Sequence, residues 1–240
     1  MHNNITLCIT MGKRPDLLKQ TLLSLFQFHQ FNEIIAINDF GDKATNDAFL
    51  EICPHGKLVD LGKQVGHHSA VDAMYSLVTN PYIFHCEDDW LFTTAPNIDQ
   101  SLCLLENPNI SVVCYRSISD FNFSPDLTKQ IEIKRYQDIE YISLINLHDQ
   151  WHGYTFNPHL SKIDLWQKNK PFSKFKKERH ISRWQRSLNH HVAFIIPGSC
   201  HHIGEEVSVA NPKTNKNFLN KIKTLRKALK AKITTWKNNQ

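Results

Sequence analysis

Up to Phe92 the chain alternates apolar runs with helical spacing, and that alternation narrows the available folds more than any other feature. Residues 5–10 (Ile-Thr-Leu-Cys-Ile-Thr) read as a strand, followed by a Met11-Gly12-Lys13-Arg14 loop. Pro15 and Asp16 then open a helix whose Leu17, Leu18, Thr21, Leu22 and Leu25 recur on one face to near Phe28. A second strand over 33–37, a helix over 46–52, a third strand over 57–61 and a helix over 69–78 repeat the pattern. Strand and helix in turn predict an α/β fold with a doubly wound, mainly parallel sheet. In such sheets ligands gather beyond the carboxyl ends of the strands, where strand order reverses. The loops at 10–14, 38–42, 62–68 and 87–89 should therefore converge on one crevice.

The fourth apolar run, starting at Tyr82, empties into Glu87-Asp88-Asp89. Three adjacent carboxylates repel one another, so a buried strand end carrying them calls for a cation or for full solvation. Hard divalent ions, Mg2+ or Mn2+, prefer carboxylate oxygens and often share them with phosphates. Strand alternation would put Glu87 and Asp89 on one side and Asp88 on the other. A solvated acidic turn is the plainer reading; the apolar run before the triplet and Trp90-Leu91-Phe92 after it favour a metal–phosphate site.

The second half is less regular. Helices are expected over 98–106, from about 161, and over 178–189. Strands are expected over 110–115, 131–136, 141–147, 151–158 and 192–196, with an aromatic-rich loop at 119–124. His201 and His202 follow the last strand and a Pro197-Gly198 turn, as metal or diphosphate ligands or as loop histidines. Trp151, Tyr154 and Phe156 could line a sugar-binding pocket or pack in the core. Lys13 and Arg14 could neutralise phosphates or solvate their loop. His148 and His152 share a zinc-like spacing that the following Gly153 argues against.

Six scattered cysteines without a C-x-x-C pair point to buried free thiols. No apolar run reaches the length of a membrane span, and no leader is expected at Met1-His2-Asn3-Asn4. The formal net charge of +5 is unevenly spread: nine lysines and arginines and no acid follow Glu206, leaving residues 1–206 at about −4. Phe218, Ile222, Leu225, Leu229, Ile233 and Trp236 draw one apolar stripe among those cations. Residues 213–240 thus read as a basic amphipathic helix suited to an anionic membrane surface, with packing on the domain or a nucleic-acid role as weaker readings. No aromatic-plus-basic motif elsewhere supports nucleic-acid binding.

The Thr10…Arg14-Pro15…Leu17-Leu18…Thr21-Leu22…Ser24-Leu25 pattern, Asn38-Asp39, Gly66 and Glu87-Asp88-Asp89 resemble glycosyltransferases of the GT-A fold, especially family 2. The resemblance implies a Rossmann-like, nucleotide-diphospho-sugar transferase domain over 1–206. Its donor half would be 1–92 and its acceptor and catalytic half 93–206, with 213–240 as an appended tail. It implies that Thr10, Arg14, Asn38, Asp39, Gly66, Glu87 and Asp88 serve the donor. Asp39 would hold the base, and Glu87 or Asp88 would approach the ribose. Asp89 would ligate the metal, joined by the late His202. Glu178 stands where the family supplies its catalytic base, although Arg179 replaces the acid that normally follows. Trp151 and Tyr154 would face the acceptor.

The expectation is a cytoplasmic enzyme at the inner face of a membrane, metal-dependent and inverting. Its donor would be a nucleoside-diphosphate sugar, UDP-linked by preference, and its acceptor a hydroxyl of a surface polysaccharide or lipid-linked glycan. A sugar-1-phosphate nucleotidyltransferase is the alternative within enzymes, weakened by the single glycine of Met11-Gly12-Lys13-Arg14. A non-catalytic glycan- or lipid-binding relative is the alternative outside them.

Overall fold

The computed structural model describes residues 4–204, and these residues up to Ile203 form one compact unit. The expected tail helix over 213–240 lies outside them. Four parallel strands, β1 (Ile5–Met11), β2 (Glu33–Asn38), β3 (Lys57–Asp60) and β4 (Tyr82–Glu87), are linked by α1 (Pro15–Phe26), α2 (Lys43–Ile52) and α3 (His67–Tyr75). All seven residues of β1 are buried, as a strand covered on both faces must be. Helix α2 starts three residues earlier than its apolar spacing suggests, because the Asp42 side chain caps it by accepting from the Thr45 N–H.

After β4 come β5 (Trp90–Phe92), α4 (Ile98–Leu104), β6 (Ile110–Cys114), α5 (Pro125–Thr128), β7 (Glu132–Tyr136) and β8 (Ile139–Ser143). The chain closes with β9 (His159–Lys162), α6 (Ile163–Asn169), α7 (Glu178–Ser187), β10 (His191–Ile195) and β11 (Cys200–His202). The main sheet has nine strands in the order β3-β2-β1-β4-β9-β6-β10-β8-β7, and β5 pairs with β11 in a separate ribbon. Strand order reverses at β1: β2 and β3 lie on one side and β4 on the other. The crevice between the carboxyl ends of β1 and β4 is therefore the switch point of the sheet.

Three expectations shift in the second half. Residues 151–158 form no strand; their N–H groups turn to α7 instead, Gly153 N donating to Ser182 Oγ (2.8 Å) and Phe156 N to Glu178 Oε1 (3.2 Å). The strand comes just after, at β9, which runs antiparallel to both β4 and β6 and so joins the halves of the sheet. The helix expected from about 161 is displaced to Ile163 by that strand. Likewise β8 stops at Ser143 and a short 3-10 turn at Ile145–Leu147 replaces its predicted end.

Two apolar layers cover the sheet. One gathers Leu18, Leu22 and Leu25 of α1 against Ile9, Phe84 and Trp90; the other gathers Val71, Met74 and Tyr75 of α3 against Ile37, Ile83 and Phe172. All six cysteines are free thiols, five of them buried.

Candidate active site

Arg14, the residue before α1, is the hub of the switch-point crevice. Its guanidinium spans both aspartates of the acidic triplet, ion-paired to Asp88 Oδ1 and, at 2.6 Å, to Asp89 Oδ2. Asp88 Oδ2 also accepts from the Gly12 N–H at 3.0 Å. A Cβ on Gly12 would lie 2.0 Å from the Phe40 ring, so glycine lets that ring pack against the turn. The expected alternation ends with the strand at Glu87: Asp88 and Asp89 lie in a bend and face the same cation. Glu87 is left apart from them, across from Thr10 in the β1–β4 register.

The ribbon of β5 and β11 brings in the late histidines. His202 Nε2 lies 3.2 Å from Asp89 Oδ2, and its ring packs on Trp90 at 5.1 Å. Asp120, on the loop after β6, fixes this ribbon by accepting from the His202 N–H (2.9 Å) and by pairing with His201 Nδ1 (2.7 Å). His201 is thus a structural partner, and His202 is the histidine turned to the acidic cluster.

The surroundings set the charges. Burial, against the attraction of Arg14, pushes Asp88 up to about 7. Burial acts on Asp89 too, but the hydrogen bond from His202 and the charge of Arg14 outweigh it and hold Asp89 below its ordinary range. Glu87 is raised well above a normal carboxylate by burial and then by the negative charges of Asp89 and Glu178.

A second cluster closes the other flank. Asp39 Oδ1 accepts from the backbone of Val65 (2.7 Å) and Gly66 (3.2 Å), tying the end of β2 to the start of α3. Gly66 has φ +96, the left-handed region that favours glycine. Asn38 is fully buried and internal: its amide donates to the Asp42 carbonyl and Asn46, while its oxygen accepts from Phe40 and Gly41. It shapes the loop that presents Asp39. No side-chain cap covers the first turn of α3, and a cavity of about 260 Å3 opens there, lined by Gly66, His67, His68, Ser69, Ser173 and Lys176 among others.

Glu178 opens α7 and lines a cavity of about 370 Å3 with Arg116, Phe121, Trp151, Tyr154 and Asn157. Its carboxylate is raised by burial, which outweighs the Phe156 N–H and the nearby Arg116 charge. Trp151 and Tyr154 thus meet Glu178 at one cavity, with Tyr154 almost wholly buried. Arg116 is the residue that sequence reasoning passed over. Its guanidinium stacks on Phe121 at 4.1 Å and donates to Asn157 Oδ1 at 3.2 Å. It lies two residues past the carboxyl end of β6, so the rule about carboxyl-end loops could have found it.

Among the described residues no set of three His, Cys, Asp or Glu side chains is grouped to hold an ion. Yet Asp89 Oδ1 is buried with no hydrogen-bond partner, a free oxygen beside His202. That donor pair fits a hard divalent ion whose remaining ligands come from a bound diphosphate and water.

The chain matches the family described as Glycosyl transferase family 2 over residues 6–175, a span that ends just before Glu178. No curated protein sequence matches it. Among solved structures it is similar to the mannosyltransferase PcManGT from Pyrobaculum calidifontis, in complex with GDP-Man and Mn2+. That likeness has 12% identity and a TM-score of 0.60, covering 85% of this chain and 58% of that one. It is also similar to residues 1–349 of S. aureus TarS in complex with UDP-GlcNAc, with 11% identity and a TM-score of 0.58 over 85% of this chain and 62% of that one. The chain spans less than two thirds of these proteins, and at such identity the likeness speaks for the fold. The family match covers most of the chain, the sheet is that of GT-A proteins, and the chain belongs to glycosyl transferase family 2.

Proposed function

We propose that the protein moves a sugar from a nucleoside-diphosphate sugar to a hydroxyl of a glycan acceptor, with inversion at the transferred carbon. The observation that carries this reading is the placement of Arg14, Asp88, Asp89 and His202 at the switch point of the sheet, with Glu178 in the adjoining cavity. Asp39, Gly66 and the open first turn of α3 line the flank suited to the nucleotide, and Thr10 lies level with Glu87 above the crevice floor. A UDP donor is the preferred assignment.

Asp89 and His202 would hold a divalent ion, Mn2+ or Mg2+, which when bound neutralises charge on the leaving diphosphate. PcManGT is in complex with Mn2+, in keeping with this assignment. Glu178, poised by burial above the ordinary carboxylate range, accepts the proton of the acceptor hydroxyl as the new bond forms. Trp151 offers aromatic surface to the acceptor sugar, and Tyr154, packed in the core behind the cavity, supports that wall. Arg116 keeps Glu178 from rising further by lending it positive charge.

No helix among the described residues is long and apolar enough to cross a membrane. We place the protein at the cytoplasmic face of a membrane through the basic stripe of 213–240, acting on a surface polysaccharide or lipid-linked glycan. Titration calorimetry with UDP, with and without Mn2+, tests the donor site. Metal-dependent binding is expected, and hydrolysis of a panel of nucleotide sugars then names the donor. Absence of binding to any nucleoside diphosphate, with or without metal, would overturn the proposal.

A further inference from the structure

Although residues 1–206 are acidic on balance, the chain between Lys170 and Arg186 carries seven lysines and arginines against one acid. That acid, Glu178, turns inward to the Phe156 N–H. Arg186 also turns inward, donating to the carbonyls of Ile145 (2.9 Å) and Trp151 (3.1 Å). Lys174, Lys176, Lys177, Arg179 and Arg183 are exposed. None of these five pairs with a carboxylate among the described residues. They crowd one place: after slight burial, the charges of Arg179, Arg183, Lys177 and Lys176 all push the His180 imidazole below its ordinary value.

Beside them lie two exposed apolar side chains, and it is their company with the cations that singles this face out. Trp184 on α7 is 44% exposed, and Leu188, the residue just past the helix end, is 45% exposed. A groove of about 540 Å3 runs between Lys174, Phe175, Lys176, His180, Arg183 and Trp184. Cations flanking an exposed indole suit the headgroup region of a bilayer, where anionic lipid attracts the charges and the indole sits at the interface. A soluble polyanion would use the charges and leave Trp184 and Leu188 in water.

We propose that the outer face of α7 and the loop before it, Lys174 to Leu188, dock the protein on an anionic lipid surface. This deepens the membrane reading above by assigning a contact on the described domain, separate from residues 213–240. Because Glu178 opens the same helix, docking there brings the acceptor cavity close to a membrane-held glycan.

The test uses the full chain and vesicles of phosphatidylcholine with or without phosphatidylglycerol. One variant carries Lys174→Gln, Lys177→Gln and Arg183→Gln; another carries Lys223→Gln, Arg226→Gln, Lys227→Gln and Lys230→Gln. The first should lose on the order of 100-fold in partitioning to anionic vesicles, with far-UV circular dichroism and UDP affinity unchanged. Trp184→Phe should remove part of the fluorescence quenching by brominated lipid. Partitioning that falls only in the 223–230 variant would overturn the α7 surface and leave the tail reading standing. A fall only in the first variant would do the reverse. Wild-type protein that ignores anionic vesicles but binds soluble polyphosphate through these three residues would also overturn the lipid assignment.

Discussion

Two pairs of acids share the crevice and are treated in opposite ways. Asp88 and Asp89 face a guanidinium, a backbone N–H and an imidazole, so their charge is met by fixed partners. Glu87 and Glu178 come from opposite halves of the chain; Glu178 adds to the charge that raises Glu87, while Glu178 itself meets the Phe156 N–H and the charge of Arg116. The first arrangement fixes two carboxylates against one guanidinium, Asp89 kept charged and Asp88 raised to about 7; the second raises carboxyls with no guanidinium bonded to them. If that contrast is right, substitutions in the two pairs fail differently.

The largest effect is expected at Glu178. Glu178→Gln keeps the shape and the helix start but cannot accept a proton, so turnover should fall by about 10²–10⁴-fold. Donor affinity and melting temperature should stay nearly unchanged. Turnover within a few-fold of wild type would make Glu178 a helix-start residue and move the base elsewhere.

Asp89→Asn addresses the other pair. It should weaken Mn2+-dependent UDP binding by about 100-fold and depress activity with it, as loss of a charged ligand does. Full Mn2+ dependence of UDP binding in this variant would remove Asp89 from the metal site.

Arg14→Met should cost stability rather than only binding, since two buried carboxylates lose their cation. Breaking such a pair typically costs about 3–5 kcal/mol. Asp88 sits near 7 in the folded chain, above its unfolded value. The fold therefore holds that proton more firmly, and the stability this contributes fades as pH rises through about 7. The penalty in urea melts should accordingly be larger at pH 8 than at pH 5.5, values that straddle the shifted carboxyl. An equal penalty at both would mean the aspartates do not titrate in that range.

The smallest effect concerns the buried histidines behind the crevice. His159 is fully buried, donates its Nδ1–H to the Asn157 carbonyl at 2.9 Å, and is held by burial down to about 4. The unfolded chain takes up a proton near 6.5 while the folded chain resists it. Stability should thus fall as pH drops from 6.5 toward 4, by about 1.4 kcal/mol per pH unit for this residue. His159→Phe should flatten the wild-type slope by that amount in melts across the window.

Much of the first half was legible because its information is local. Strands of one apolar run each, joined by helices with regular spacing, put Thr10, Arg14, Asp39, Gly66 and the triplet at carboxyl ends without any long-range knowledge. The triplet's geometry was not legible, since β4 ends at Glu87 and the bend after it cancels the alternation that separates Asp88 from Asp89. Asn38 sat at the right place in the sequence, yet its side chain is spent on its own loop.

In the second half the sequence determined which segments are apolar and where α7 begins, and hence that Glu178 stands at a helix start. Tertiary structure decided the rest. Strand β9 fits between β4 and β6, antiparallel to both, and this leaves residues 151–158 to bond with α7 and bring Tyr154 beside Glu178. Asp120 and β5 carry His202 back across more than a hundred residues to Asp89. A sequence records local periodicity because each helix or strand repeats over a few residues. Contacts between distant segments depend on which face and which neighbour win the competition for burial, and that is settled only when the whole sheet assembles.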